Sequence, residues 1–172
     1  VADYDDLAPL FTRLGLNFLA VDYRGYGRSS GTPTLSAMLD DSHAVFAFVR
    51  DWLKSRGHTG PRIVMGRSLG SAPALELASR HAGEIDGLVV ESGFARIGPL
   101  LALMGYRMEA FGLSEEDGPQ NLKKIGMFDK PTLVIHAEFD HIIAHAEGQA
   151  LYDASPAAVK HMLTIEGANH ND

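Results

Sequence analysis

An α/β fold, built as a mostly parallel sheet with helices on both faces, is the architecture this sequence predicts. Three observations carry it. Short apolar runs of strand length recur along the chain: "NFLAVDY", "RIVM", "IDGLVVE", "PTLVIHA" and "KHMLTIE". Segments of helical period alternate with them, as parallel βαβ units require. The chain has 172 residues, 45% hydrophobic and 22% charged, enough for one domain with a sizeable core. No internal repeat or low-complexity segment interrupts it, so residues 1–172 are expected to form a single domain.

In chain order, Tyr4, Leu7, Leu10/Phe11 and Leu14 recur at helical spacing and stop at Gly15, a favourable helix terminator. Residues 17–23 are apolar enough for a buried strand, and the glycines and proline of "RGYGRSSGTPT" mark a loop at 24–34. Leu35, Met38, Ser42, Val45, Val49 and Trp52/Leu53 trace one face of a helix over 35–54. Gly57 to Pro61 break it before a strand at 62–65. A helix over 71–82 tolerates Pro73 in its first turn. Strands follow at 85–91, 131–137 and 160–166, with a helix near 145–154. Between them, the stretch to about Pro119 is irregular and apolar.

Charge and composition exclude several function classes. Lys+Arg number 15 against 22 Asp+Glu, a formal net charge of −7, with no basic cluster for nucleic acid or an anionic membrane. The absence of cysteine removes disulfides, thiol catalysis and cysteine-based metal sites. No apolar run approaches the roughly 20 residues of a membrane span. "VADYDDLAPL" reads as a helix already under way, so residues before Val1 are expected; no leader is visible, and a cytoplasmic location is the reading.

The sharpest local signal is Gly66-Arg67-Ser68-Leu69-Gly70, a G-x-S-x-G pattern between a strand and a helix. A nucleophile on so tight a turn has strained backbone, and flanking glycines remove side chains that would collide. The turn also aims the Leu69 N–H at the place where an oxyanion would form. The same residues would suit a glycine-rich turn with a capping serine, so the rest of the chain must decide. A serine nucleophile needs a base, and the base an orienting acid, in the order Ser, Asp, His. "LVIHAEFDHII" puts Asp140 just after one strand, with Glu138 as rival, and "LTIEGANHND" puts His170 just after the last.

Other candidates are weaker. Of eight histidines, His43, His58 and His81 lie on or beside helices. His136, His141 and His145 gather near Asp140 without a firm metal-ligand spacing, so no metal is assigned. Asp22 precedes the serine turn and suits a loop-organising carboxylate over the amides of 24–29. "GYGRSSG" lacks both dinucleotide and P-loop patterns, and no organic cofactor is implied.

Together, "VDYRGYGRSSG", "GRSLGS", "LVIHAEFDHII" and "GANHND" resemble the α/β-hydrolase superfamily of serine hydrolases, particularly its small esterase- and thioesterase-like branches. The resemblance covers nearly the whole chain. It implies an α/β-hydrolase fold with Ser68 as nucleophile, Asp140 as acid, His170 as base and the Leu69 backbone as one oxyanion donor. It further implies hydrolysis of a carboxylic ester or thioester of small-molecule size through an acyl-enzyme. A peptidase or acyltransferase of the same fold and a non-catalytic binding module are the alternatives. Ala137 stands where the family usually has glycine after the strand histidine, and Ala144 where proline often follows the acid loop. The family's N-terminal strands, with the loop supplying the second oxyanion amide, and its C-terminal helix have no counterpart here, so a domain truncated at both ends is expected. A cap insertion is expected at about 94–119, where Leu100, Leu101, Leu103, Met104, Tyr106, Met108 and Phe111 either pack on the core or line an acyl pocket. Leu101 and Met104 are the residues singled out for that pocket.

Overall fold

The computed structural model describes residues 4–172, so the reading of Val1–Asp3 as part of a helix lies outside the described residues. Contacts divide the chain into two compact units, one ending at Val49 and one spanning Arg50–Asp172.

In the first unit, α1 (Ala8–Arg13) starts with a proline in its first turn and ends before Gly15, whose φ of +78° suits only glycine comfortably. The strand expected at 17–23 is absent: the segment carries no ladder and no regular secondary structure. An apolar run marks where a strand could be, while a strand also needs a neighbour to bond. Phe18 is instead stacked on Phe11, ring centroids 4.9 Å apart. The following loop closes around Asp22, as expected. The Arg28 amide donates to the Asp22 carboxylate at 3.4 Å, the Ser29 hydroxyl donates to the Asp22 backbone carbonyl at 2.8 Å, and a Cβ on Gly27 would lie 2.3 Å from that carboxylate.

Helix α2 (Leu35–Ser55) opens with the Thr34 hydroxyl accepting the Ala37 amide at 3.0 Å, an N-cap. Its buried residues Met38, Ser42 and Phe46 are four apart, a single stripe. Trp52 leaves the expected face: it is 39% exposed, stacked on His58 and covered by the Arg56 guanidinium. An indole tolerates this half-wet position because its body is apolar and its edge polar.

The second unit holds a four-stranded parallel sheet in the order β1 (Ile63–Arg67), β2 (Gly87–Glu91), β3 (Thr132–Ala137), β4 (Lys160–Ile165). Helix α3 (Ser71–Arg80) packs on β1 and β2, and α6 (His145–Ala154) on β3 and β4. Between these helices sits α5 (Asn121–Ile125), one short turn with no amphipathic period to announce it. Polar contacts fix it in place of a long apolar face. The Asn121 amide donates to the Phe94 carbonyl at 2.8 Å, and Lys124 meets Glu76 of α3 at 2.6 Å. Leu88, Val90 and Val134 alternate inward and are buried, whereas Ile63, Met65, Leu163 and Ile165 keep 41–55% of their surface.

The 94–119 segment forms α4 (Ile97–Leu103) and two single 3₁₀ turns. Glu115 reaches back to accept the Ile97 and Gly98 amides at 2.9 and 2.6 Å, satisfying donors at the start of α4. Met108 is buried, but Leu103, Met104, Tyr106 and Phe111 remain 53–66% exposed, so most of the segment's large apolar residues do not pack on the core.

Candidate active site

Parallel strands all end on one edge of a sheet, so residues that follow them in the chain meet there. Ser68 follows β1 at φ +51°, a left-handed conformation that costs a side-chain-bearing residue about 1–3 kcal/mol and is held by its surroundings. The turn is tight enough that a Cβ on Gly66 would sit 2.3 Å from the Gly70 carbonyl and 2.6 Å from Ala74 Cβ. Leu69 and Gly70 complete a 3₁₀ turn that runs directly into α3.

The three residues marked in the sequence converge. His170 Nε2 lies 3.0 Å from Ser68 Oγ, and His170 Nδ1 lies 2.7 Å from Asp140 Oδ2. The network assigns the tautomer: Nδ1–H donates to the carboxylate and Nε2 accepts from the hydroxyl. Asp140 Oδ1 accepts the Ile142 and Ile143 amides at 3.0 and 2.8 Å, which fixes the carboxylate plane. Burial pushes the Asp140 carboxyl up, but the Ile143 amide, the His170 ring and the Ile142 amide outweigh it, leaving it below the usual carboxylate range. Glu138 does not face His170. It is exposed and accepts the Gly167 amide at 2.9 Å, stapling the start of the histidine loop.

The histidine cluster resolves into separate roles. His136 is fully buried, and that burial lowers its pKa and keeps it neutral. Its Nε2–H donates to the Ile143 carbonyl at 2.8 Å, leaving Nδ1 without a partner against Gly148. His145 Nε2 is engaged with the Thr164 hydroxyl at 2.9 Å, and His141 is exposed. Among the described residues no group of three or more His, Asp or Glu stands in ligand geometry.

Three participants escape sequence reasoning. Glu147, buried on α6, accepts the Ala95 and Arg96 amides at 2.9 and 2.8 Å and pairs with the Arg96 guanidinium at 3.2 Å. No motif marks it; its only signal is a carboxylate in a helix's first turn. Arg67 and Glu91 are register partners at the ends of β1 and β2 and form an ion pair at 3.2 Å. Aligning the strand ends would have placed them together. Beside Asp140 opens a cavity of about 230 Å³ lined by Phe94, Arg96, Leu100, Leu103, Ile142 and Glu147, among others. Its α4 wall is Pro99, Leu100 and Leu103, not Leu101 and Met104.

Residues 1–114 match the family described as serine aminopeptidase, S33. The chain is 34% identical to alpha/beta hydrolase domain-containing protein 17C of Homo sapiens over 169 residues, covering 95% of this chain and 46% of the human protein. The protein of the same name from Xenopus tropicalis is also 34% identical, over 95% of this chain and 49% of its own length. The chain thus spans about half the length of the curated relatives it matches. Among solved structures, Paleococcus ferrophilus monoacylglycerol lipase superposes with a TM-score of 0.75 at 17% identity, covering 99% of this chain and 81% of that one. Est1E of Butyrivibrio proteoclasticus, solved with ferulic acid, superposes with a TM-score of 0.77 at 20% identity, covering 95% and 73%.

Proposed function

The chain belongs to the serine aminopeptidase S33 family, within the α/β-hydrolase fold, and from that premise we propose that it is a serine hydrolase acting on a carboxylic ester or thioester. The observation that carries the reading is the unbroken chain of hydrogen bonds Asp140–His170–Ser68, ending on a serine with left-handed backbone. Ser68 Oγ attacks the acyl carbon while its proton passes to His170 Nε2, and Asp140 stabilises the resulting imidazolium. The Leu69 N–H, one residue into the turn, donates to the oxyanion, a contact of the kind whose loss costs about 10²–10³ in rate. Collapse expels the alcohol or thiol, which takes the proton from Nε2. Water, deprotonated by His170, then attacks the acyl-enzyme and releases the acid and free Ser68.

The cavity beside Asp140 is the proposed seat for an apolar portion of the substrate, with α4 and the following turns as a cap. At about 230 Å³ it lies below the roughly 300 Å³ at which drug-sized pockets begin, which favours a small group. A peptidase is the second reading, favoured by the match to a family described as serine aminopeptidases. The test is labelling of the protein with a fluorophosphonate, followed by a panel of p-nitrophenyl esters, acyl-CoAs and aminoacyl amides. Labelling is expected to vanish in Ser68→Ala, and esters or thioesters to turn over fastest. Labelling that persists in Ser68→Ala removes Ser68 from the role, and preferential turnover of aminoacyl amides installs the peptidase reading.

A further inference from the structure

His170 belongs to a loop that leaves β4, yet it serves a serine at the end of β1, three strand positions away, roughly 14 Å of sheet width. The near end of that loop is tied by local bonds: Glu138 to the Gly167 amide, and the Phe139 amide to the Ala168 carbonyl at 2.9 Å. The far end is held from β1 itself. The Arg67 guanidinium donates through Nη2 to the His170 carbonyl oxygen and through Nε to Glu91 at 3.2 Å. Nε–H and Nη2–H lie parallel on one edge of a planar group, so anchoring one on Glu91 fixes the direction of the other. Arg67 and Glu91 are both about 30% exposed, at 30% and 29%, drier than a surface pair.

We infer that Arg67, oriented by Glu91, is a positioning residue that clamps the backbone of His170 to the strand carrying Ser68. The variable residue inside the G-x-S-x-G pattern thereby sets the distance between nucleophile and base. Lysine could hold one of the two acceptors but not both in a fixed plane.

This inference rests on the serine-hydrolase reading, and the experiment separates their failures. Ser68→Ala, Arg67→Met, Arg67→Lys and Glu91→Gln are compared with the parent chain by the second-order rate of fluorophosphonate labelling, by kcat and KM on the best substrate of the panel, and by thermal midpoint. Arg67→Met is expected to slow labelling and kcat by ~10–100-fold, the scale of a small misplacement of a reacting group, with KM within about twofold. Arg67→Lys should recover part of that loss, and Glu91→Gln, which keeps the fold's packing, should show a smaller loss in kcat alone. Ser68-dependent labelling at the parental rate in both Arg67→Lys and Glu91→Gln overturns the clamp while leaving the hydrolase reading intact. A fall in thermal midpoint with no change in kcat likewise overturns it and assigns the pair to sheet stability. Undiminished labelling of Ser68→Ala overturns both.

Discussion

Replacing Asp140 by asparagine tests the assignment of the acid at the level of one proton. The backbone amides of Ile142 and Ile143 both point at Oδ1, so the asparagine carbonyl oxygen must remain there. Its NH₂ then faces His170 Nδ1, where the carboxylate now sits 2.7 Å away, and two donors cannot share that contact. His170 must shift its proton to Nε2, the nitrogen 3.0 Å from Ser68 Oγ, and can no longer accept from the hydroxyl. Restoring the working tautomer requires flipping the amide and stranding two N–H donors, at about 1–3 kcal/mol each. At 1.36 kcal/mol per decade, the resulting ~2–6 kcal/mol corresponds to a loss of roughly 30- to 10⁴-fold in kcat/KM. The assay is steady-state turnover of the best panel substrate, with Glu138→Gln alongside. The Glu138→Gln change keeps an acceptor for the Gly167 amide, so that variant should stay within about threefold of the parent, as exposed polar changes usually do. An Asp140→Asn enzyme within tenfold of the parent, or a larger loss in Glu138→Gln, would refute the assignment.

The depressed pKa of Asp140 also enters stability. As pH falls below the ordinary carboxylate value of 3.8, the unfolded chain takes up this proton before the folded one, so the contribution is full above that pH and is lost as pH drops through the folded pKa. The difference in thermal midpoint between parent and Asp140→Asn should therefore shrink from about pH 5 to about pH 2.5; a difference constant with pH would contradict it. Gly148→Ala places a methyl 2.3 Å from His136 Nδ1, on a rigid buried ring, and is expected to cost about 1–3 kcal/mol in chemical denaturation; a neutral result would mean that the ring gives way freely. Leu100→Ala with Leu103→Ala should relax chain-length preference, whereas Leu101→Ala with Met104→Ala should not; the reverse outcome moves the pocket to the other face of α4.

The parallel sheet was legible because β1, β2 and β3 are mostly apolar runs separated by helical segments, whereas β4 alternates polar and apolar residues. Asp140 and His170 stood out as titratable side chains within a few residues of the ends of β3 and β4. The apolar run at 17–23 failed as a strand because its ladder depends on a partner that local composition cannot supply. Phase was the weak point in α4: Leu101 and Met104 have the same i, i+3 spacing as Leu100 and Leu103, but one residue's offset turns them about 100° around the helix. α5 was invisible because five residues held by Asn121 and Lys124 carry no period. Arg67 and Glu91 lie 24 residues apart, and only the register of β1 against β2 makes them neighbours.

Ser68 and His170 are separated by 102 residues in the chain. At translation rates of about 5–20 residues per second, the imidazole leaves the ribosome roughly 5–20 s after the serine. Throughout that interval the serine turn holds an ordinary alcohol, with no group beside it to take its proton. Reactivity toward a fluorophosphonate therefore cannot accompany formation of β1 and α3. It should appear in a single step when β4 and the loop carrying His170 dock, so the same probe that tests the chemistry can count molecules in which serine and imidazole have met during refolding.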